Sequence, residues 1–96
     1  VLVSAISAWE IAMLVHRGRL TLAIGVADWL ATVERVDPVR FVPVDNGLAA
    51  HSVALPGEFH RDPADRLIVA TARRHAVPLV TADEKIHAYP HVRTVW

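Results

Sequence analysis

Cysteine is absent from the 96 residues. That excludes a disulfide framework, a thiolate metal site and a cysteine nucleophile, and it fits a reducing, cytoplasmic setting. A surplus charge is also absent: 10 Lys and Arg balance 10 Asp and Glu, which argues against a general polyanion binder while leaving room for a local basic patch. Aromatic residues make up 6%, too few for a base-stacking platform, so Trp9 and Trp29 read as core. The glycines Gly18, Gly25, Gly47 and Gly57 are scattered and form no phosphate-cradling loop. Ser4 and Ser7 have no flanking glycines, so a serine-hydrolase elbow is not supported. No apolar run has spanning length: residues 1–15 carry Glu10, and residues 20–33 are broken by Gly25 and Asp28. A membrane role is therefore not expected.

Hydrophobic residues at 53% and charged residues at 21% describe a folding chain rather than a disordered one. The length suits one domain, residues 1–96, burying roughly 60–68% of its unfolded surface. Val1-Leu2-Val3 has no initiator methionine before it and reads as the middle of a buried strand, so the pattern expects further residues upstream.

Apolar spacing at Ile6, Trp9, Met13 and Leu14 predicts a helix from Ser7 that stops near Gly18. A second helix is predicted over residues 26–36, ended by Asp37-Pro38. Residues 40–44 (RFVPV) form a short edge strand, and Asp45 caps a helix running to Leu55. The clearest helix start is Asp62 at N-cap, Pro63 at the first helical position and Asp65 in the first turn. That helix runs to about His75. Residues 77–81 (VPLVT) predict a buried strand, residues 82–88 a turn and short helix, and residues 92–96 a last strand. Strands alternating with helices imply an α/β fold with a mainly parallel sheet.

In such folds the ligand crevice lies beyond the carboxyl ends of the strands. Glu10, Asp65 and Asp83 all map to that edge. Clustered carboxylates repel and persist where a cation neutralises them, and an all-oxygen set suits Mg²⁺ or Mn²⁺. Such ions activate water for in-line phosphodiester displacement. Each acid also has a structural reading. Glu10 completes a capping box with Ser7, unless the helix starts earlier at Ser4. Asp65 complements a helix dipole, and Asp83 caps the next helix. Asp62 reads mainly as an N-cap. A packed pair predicts a raised pKa at Asp65 or Asp83, with Asp83 favoured because the helix dipole opposes the rise at Asp65. The histidines show no metal spacing, and His60 reads as surface although it stands beside the acids. Arg40, Arg61 and Arg66 read either as solvated or as phosphate contacts.

Three segments resemble a known family: SAISAWEIA at residues 4–12, HRDPADRLIVATA at 60–72 and PLVTAD at 78–83. In this order they are similar to the PIN-domain toxins of VapC type, the ribonuclease halves of prokaryotic toxin–antitoxin pairs. The resemblance spans essentially the whole chain. It implies a three-layer PIN-like fold and a metal-dependent endoribonuclease using Mg²⁺ or Mn²⁺. Glu10, Asp65 and Asp83 fall on family acidic positions, and Thr81 on a hydroxyl position that accompanies the last acid. Arg66 is the expected substrate contact. RNA, a cognate antitoxin and a second copy of the chain are the implied partners. The family's first strand and its Asp lie ahead of residue 1, so the chain corresponds to the C-terminal three-quarters of the fold.

Two alternatives remain. One is a truncated, non-cleaving PIN-like module that still binds an antitoxin. The other is a phosphatase-like or receiver-like domain using Lys85, against which the lack of a D-x-D at a strand end counts.

Overall fold

The structure, a computed structural model, describes residues 1–95. Its elements run β1 (Leu2–Ser4), α1 (Ala5–His16), α2 (Val26–Glu34), β2 (Arg40–Val42), α3 (Asn46–Val53), α4 (Pro63–His75), β3 (Leu79–Val80), α5 (Glu84–His87) and β4 (Thr94–Val95). This is the expected alternation. The strands pair as two separate parallel couples rather than one continuous sheet: β1 with β2 and β3 with β4. The chain divides into two compact units, Val1–Pro43 and the remainder from Val44.

In the N-terminal unit, Leu2, Val3 and Ser4 stand opposite Arg40, Phe41 and Val42. β1 ends at Ser4, and the chain turns directly into α1 there. The Ser4 hydroxyl accepts the Ile6 N–H at 3.2 Å, so Ser4, not Ser7, is the N-cap. The predicted Ser7–Glu10 capping box is therefore not the start of this helix, and Glu10 sits in its second turn. β2 stops at Val42 because Pro43 has no N–H to continue a ladder. α2 closes two residues earlier than predicted. The Arg35 and Val36 amides turn back to Thr32 and Val33 in a tightened last turn. Trp9, predicted as core, is 55% exposed.

In the C-terminal unit α3 packs along α4. The core comprises Leu48, Leu55, Val69, Ala70, Ile86 and Tyr89, with Phe59, Leu79 and Val92 packed against it. Asp45 caps α3 as predicted, accepting the Leu48 N–H at 2.7 Å. α4 begins as its sequence requires, with Asp62 accepting the Asp65 N–H at 3.1 Å and Pro63 in the first turn. It ends at Ala76, a non-glycine residue in the left-handed region at φ 53°. The Val77 N–H then closes back onto the Ala72 carbonyl. Val77 is thus used in ending the helix and Pro78 has no donor. This shortens the predicted strand to Leu79–Val80 and leaves Val80 66% exposed rather than buried. Of the predicted last strand, Thr94–Val95 is formed, and Trp96 lies outside the described residues.

Candidate active site

α4 and α5 each place one of the predicted acids at a helix start. Asp65 occupies the first turn of α4, and its carboxylate is 22% exposed. His60, on the approach to α4, brings its Nε2 to 3.1 Å from Asp65 Oδ2 and is 24% exposed. That Nε2 is sealed from solvent and has ion-pair distance without hydrogen-bond geometry. His60 is therefore part of the acidic site rather than surface. Its position five residues before Asp65, across the Asp62-Pro63 helix start, was the available signal.

Burial pushes the Asp65 carboxyl pKa up, and the charge of Asp62 adds to the rise. His60 opposes it, Asp83 raises it further and Lys85 lowers it. Asp83 is thus close enough for Asp65 to feel its charge. A raised carboxyl was predicted from mutual repulsion, with Asp83 favoured; the rise is found at Asp65, desolvation is its larger cause, and half-burial of the first turn of α4 outweighs the helix dipole.

Asp83 is the N-cap of α5. Its Oδ1 accepts the Lys85 N–H at 2.8 Å and the Ile86 N–H at 3.1 Å. The capping role is real, and it uses one carboxylate oxygen. Thr81 supports the turn, its hydroxyl accepting the Asp83 N–H at 3.1 Å. The Thr81 carbonyl accepts from His87 Nε2 at 2.6 Å, which puts the ring proton on that nitrogen. The other ring nitrogen, Nδ1, lies 2.9 Å from the Thr94 hydroxyl, a second hydrogen bond of the same ring. α5 and β4 thus both contribute hydrogen bonds around the Thr81–Asp83 turn.

Arg66 is not solvated, nor is its guanidinium presented to a ligand. Nε donates to the Ser52 carbonyl at 2.8 Å, Nη1 to Phe59 and His60 at 3.0 and 3.2 Å, and Nη2 to Val53 at 3.2 Å. Ser52 and Val53 end α3, where carbonyls have no helical partner. The Ala54 N–H already serves the preceding two, Ala50 and His51. The predicted phosphate contact is thus a clamp on the end of α3 and on the approach to α4.

Asp65 and Asp83 belong to the C-terminal unit and Glu10 to the N-terminal one. Among the described residues, no three His, Asp or Glu side chains stand close enough together to enclose a metal ion. The chemistry of the pair nevertheless fits a hard cation. The donors are carboxylate oxygens, and the ionised form of Asp65 is disfavoured by its surroundings, which a cation would relieve.

Residues 1–92 match the PIN domain. The chain belongs to the PIN domain family. It is 46% identical over 96 residues to Ribonuclease VapC22 of Mycobacterium tuberculosis (strain ATCC 25618 / H37Rv), covering 98% of this chain and 72% of that relative. No solved structure matches it. The α/β PIN fold with parallel strand pairing agrees with the sequence prediction. Among the described residues no helix of this PIN chain is long and apolar enough to cross a membrane.

Proposed function

We propose that the chain is a VapC-type endoribonuclease toxin that hydrolyses RNA phosphodiester bonds and is restrained by a cognate antitoxin. The observation that carries this is the half-buried Asp65 carboxyl, raised by burial and facing the charges of Asp62 and Asp83, in a chain similar along its length to a ribonuclease. Asp65 and Asp83 would hold Mg²⁺ or Mn²⁺, and Glu10 is the further acid that the family resemblance adds to the set. When bound, the cation supplies an activated water and charge stabilisation for the phosphodiester displacement. Thr81 positions Asp83 through its main-chain N–H, and the Asp83 cap leaves Oδ2 as the oxygen available to a ligand. His60 shields and orients Asp65 Oδ2. The setting is cytoplasmic and the working form a homodimer.

The test is cleavage of RNA in Mg²⁺ or Mn²⁺ with antitoxin removed. Asp65→Asn keeps the shape but removes the charge a hard cation needs, so the rate should fall on the order of a thousandfold. Asp62→Asn should retain most activity, because Asn caps a helix about as well as Asp. Cleavage by Asp65→Asn at the unaltered rate would remove the catalytic assignment and favour a module that binds the antitoxin without cutting.

A further inference from the structure

At the other end of α4 lies an open cleft of about 430 Å³, lined by His51, Arg73, Val77, His91 and Arg93 among others and by no acidic residue. We propose that this cleft binds a phosphate group, that of an RNA strand whose neighbouring phosphates reach the acids at the start of α4. Its RNA part rests on the ribonuclease assignment; the anion site itself does not.

The state of the two guanidiniums carries the inference. Arg66 shows what a structural arginine looks like here, with Nε, Nη1 and Nη2 all directed to carbonyls. Arg73 and Arg93 differ. Arg73 donates through Nη1 alone, to the His91 carbonyl at 2.5 Å, and its Nε is buried without an acceptor. Arg93 donates through Nη2 alone, to the Ala76 carbonyl at 3.2 Å. Among the described residues neither has a carboxylate partner, the ion pairs being His60–Asp65 and Arg74–Asp45. A guanidinium carries five N–H donors in a fixed fork. Among the described residues each is therefore tethered at one corner, Arg73 leaving Nη2 and Arg93 leaving Nε and Nη1 without a protein acceptor, which is how a planar cation is preorganised for a phosphate.

Magnitudes favour an anion. The carboxyl end of α4 contributes about half a negative charge, against two full positive charges from the arginines. Arg74, which follows Arg73, is already neutralised by Asp45 at 2.7 Å and adds little. The place fits RNA as well. Asp65 and Arg73 are eight residues apart on one helix, about 12 Å at about 1.5 Å per residue. That distance corresponds to a few nucleotides of strand. A strand lying along α4 would put one phosphate at the acids and another in the arginine fork.

The experiment has two arms on the full chain, with Arg93→Gln, the Arg73→Gln/Arg93→Gln pair and the corresponding lysine pair. In the first, amide NMR shifts are followed during titration with inorganic phosphate. Shifts should cluster at His91, Arg93, Ala76 and Val77 and be lost in the glutamine pair. In the second, binding of a labelled RNA oligonucleotide to Asp65→Asn protein is measured across a salt series. The glutamine pair should weaken binding about tenfold and lower the log–log salt slope by about 0.7 per lost phosphate contact. The lysine pair should keep the slope. Arg93→Gln alters an exposed side chain, so its partial loss keeps the test valid should the pair fail to fold. Phosphate shifts with unchanged RNA binding would overturn the RNA part. No phosphate shifts in the cleft would overturn the site, whatever the outcome of the Asp65→Asn cleavage assay.

Discussion

Replacing Arg66 by methionine separates two roles a sequence cannot distinguish. Methionine keeps most of the unbranched apolar stem but has no donors, so the four carbonyls of Ser52, Val53, Phe59 and His60 lose their partner together. A hydrogen bond involving a charged group contributes about 1.5–3 kcal/mol net when buried. Nη1 divides itself between two acceptors, and the Nη2 bond is at the surface. The four contacts therefore count as about two full bonds, or about 3–6 kcal/mol. Folded domains are stable by about 5–15 kcal/mol in all, so the loss would be severe. In a domain this small, each kcal/mol shifts Tm by about 4–8 °C, and Arg66→Met should melt at least about 12 °C lower. Arg66→Lys should fall between, because an ammonium cannot span acceptors on both sides of a fork. The assay is urea and thermal unfolding followed by far-ultraviolet circular dichroism, paired with RNA binding below the transition. If Arg66→Met unfolds within about 0.5 kcal/mol of the unaltered chain while RNA affinity falls, the clamp is wrong and the phosphate contact right.

Three further outcomes follow from the C-terminal unit. Because burial raises the Asp65 pKa in the folded state, folding favours its protonated form; that contribution is present below the unfolded pKa and lost as pH rises through the folded one. Without divalent cation, Asp65→Asn should therefore be more stable than the unaltered chain at neutral pH, the gap closing as pH falls through the carboxylate range; denaturation midpoints across pH would show an unchanging gap if this is mistaken. Tyr89 is 3% exposed and its hydroxyl donates to the Pro56 carbonyl at 2.5 Å, so Tyr89→Phe should cost about 1–2 kcal/mol in urea unfolding, and a neutral result would mean water satisfies that carbonyl. Ala76 closes α4 at φ 53°, where glycine is at ease, so Ala76→Gly should raise the melting temperature by a few degrees, from about 0.5–1 kcal/mol; a lower value would refute this.

Local signals were legible where one residue type settles one geometry. Asp62-Pro63 marked the start of α4, Asp45 the start of α3 and Asp83 the start of α5. Where two nearby residues offered the same chemistry, tertiary pairing decided. Ser4 and Ser7 are both competent caps, and the turn falls at Ser4 because β1 ends its register with Val42 there. Strand lengths were overread for a related reason. Apolar runs mark strand-like residues but do not show which amides are already committed, as Val77 is to Ala72. Arg66 was beyond local reading altogether. Ser52 and Val53 lie 14 and 13 residues away from it in the chain, and only the packing of α3 on α4 brings them to its guanidinium. His60 was likewise underread, since an isolated histidine carries no spacing signal until the turn into α4 brings it to Asp65.

The placement of charge along α4 shows how one element serves both stability and chemistry. Acids at its start and bases at its end are the arrangement a helix dipole favours, and for a solvated helix that would be the whole account. Burial changes it at the first turn. Each charge–dipole term is only about 0.3–1 kcal/mol at the surface, and desolvation of a half-buried carboxylate exceeds it, so the Asp65 pKa rises where the dipole alone would lower it. Asp62 is exposed and caps the helix through the Asp65 N–H. The same motif thus contains one acid that settles the helix and one held in a setting that costs stability when ionised. Such a cost persists where the charged form meets a compensating cation, and so Asp65 rather than Asp62 is the residue whose loss should be felt in cleavage more than in folding.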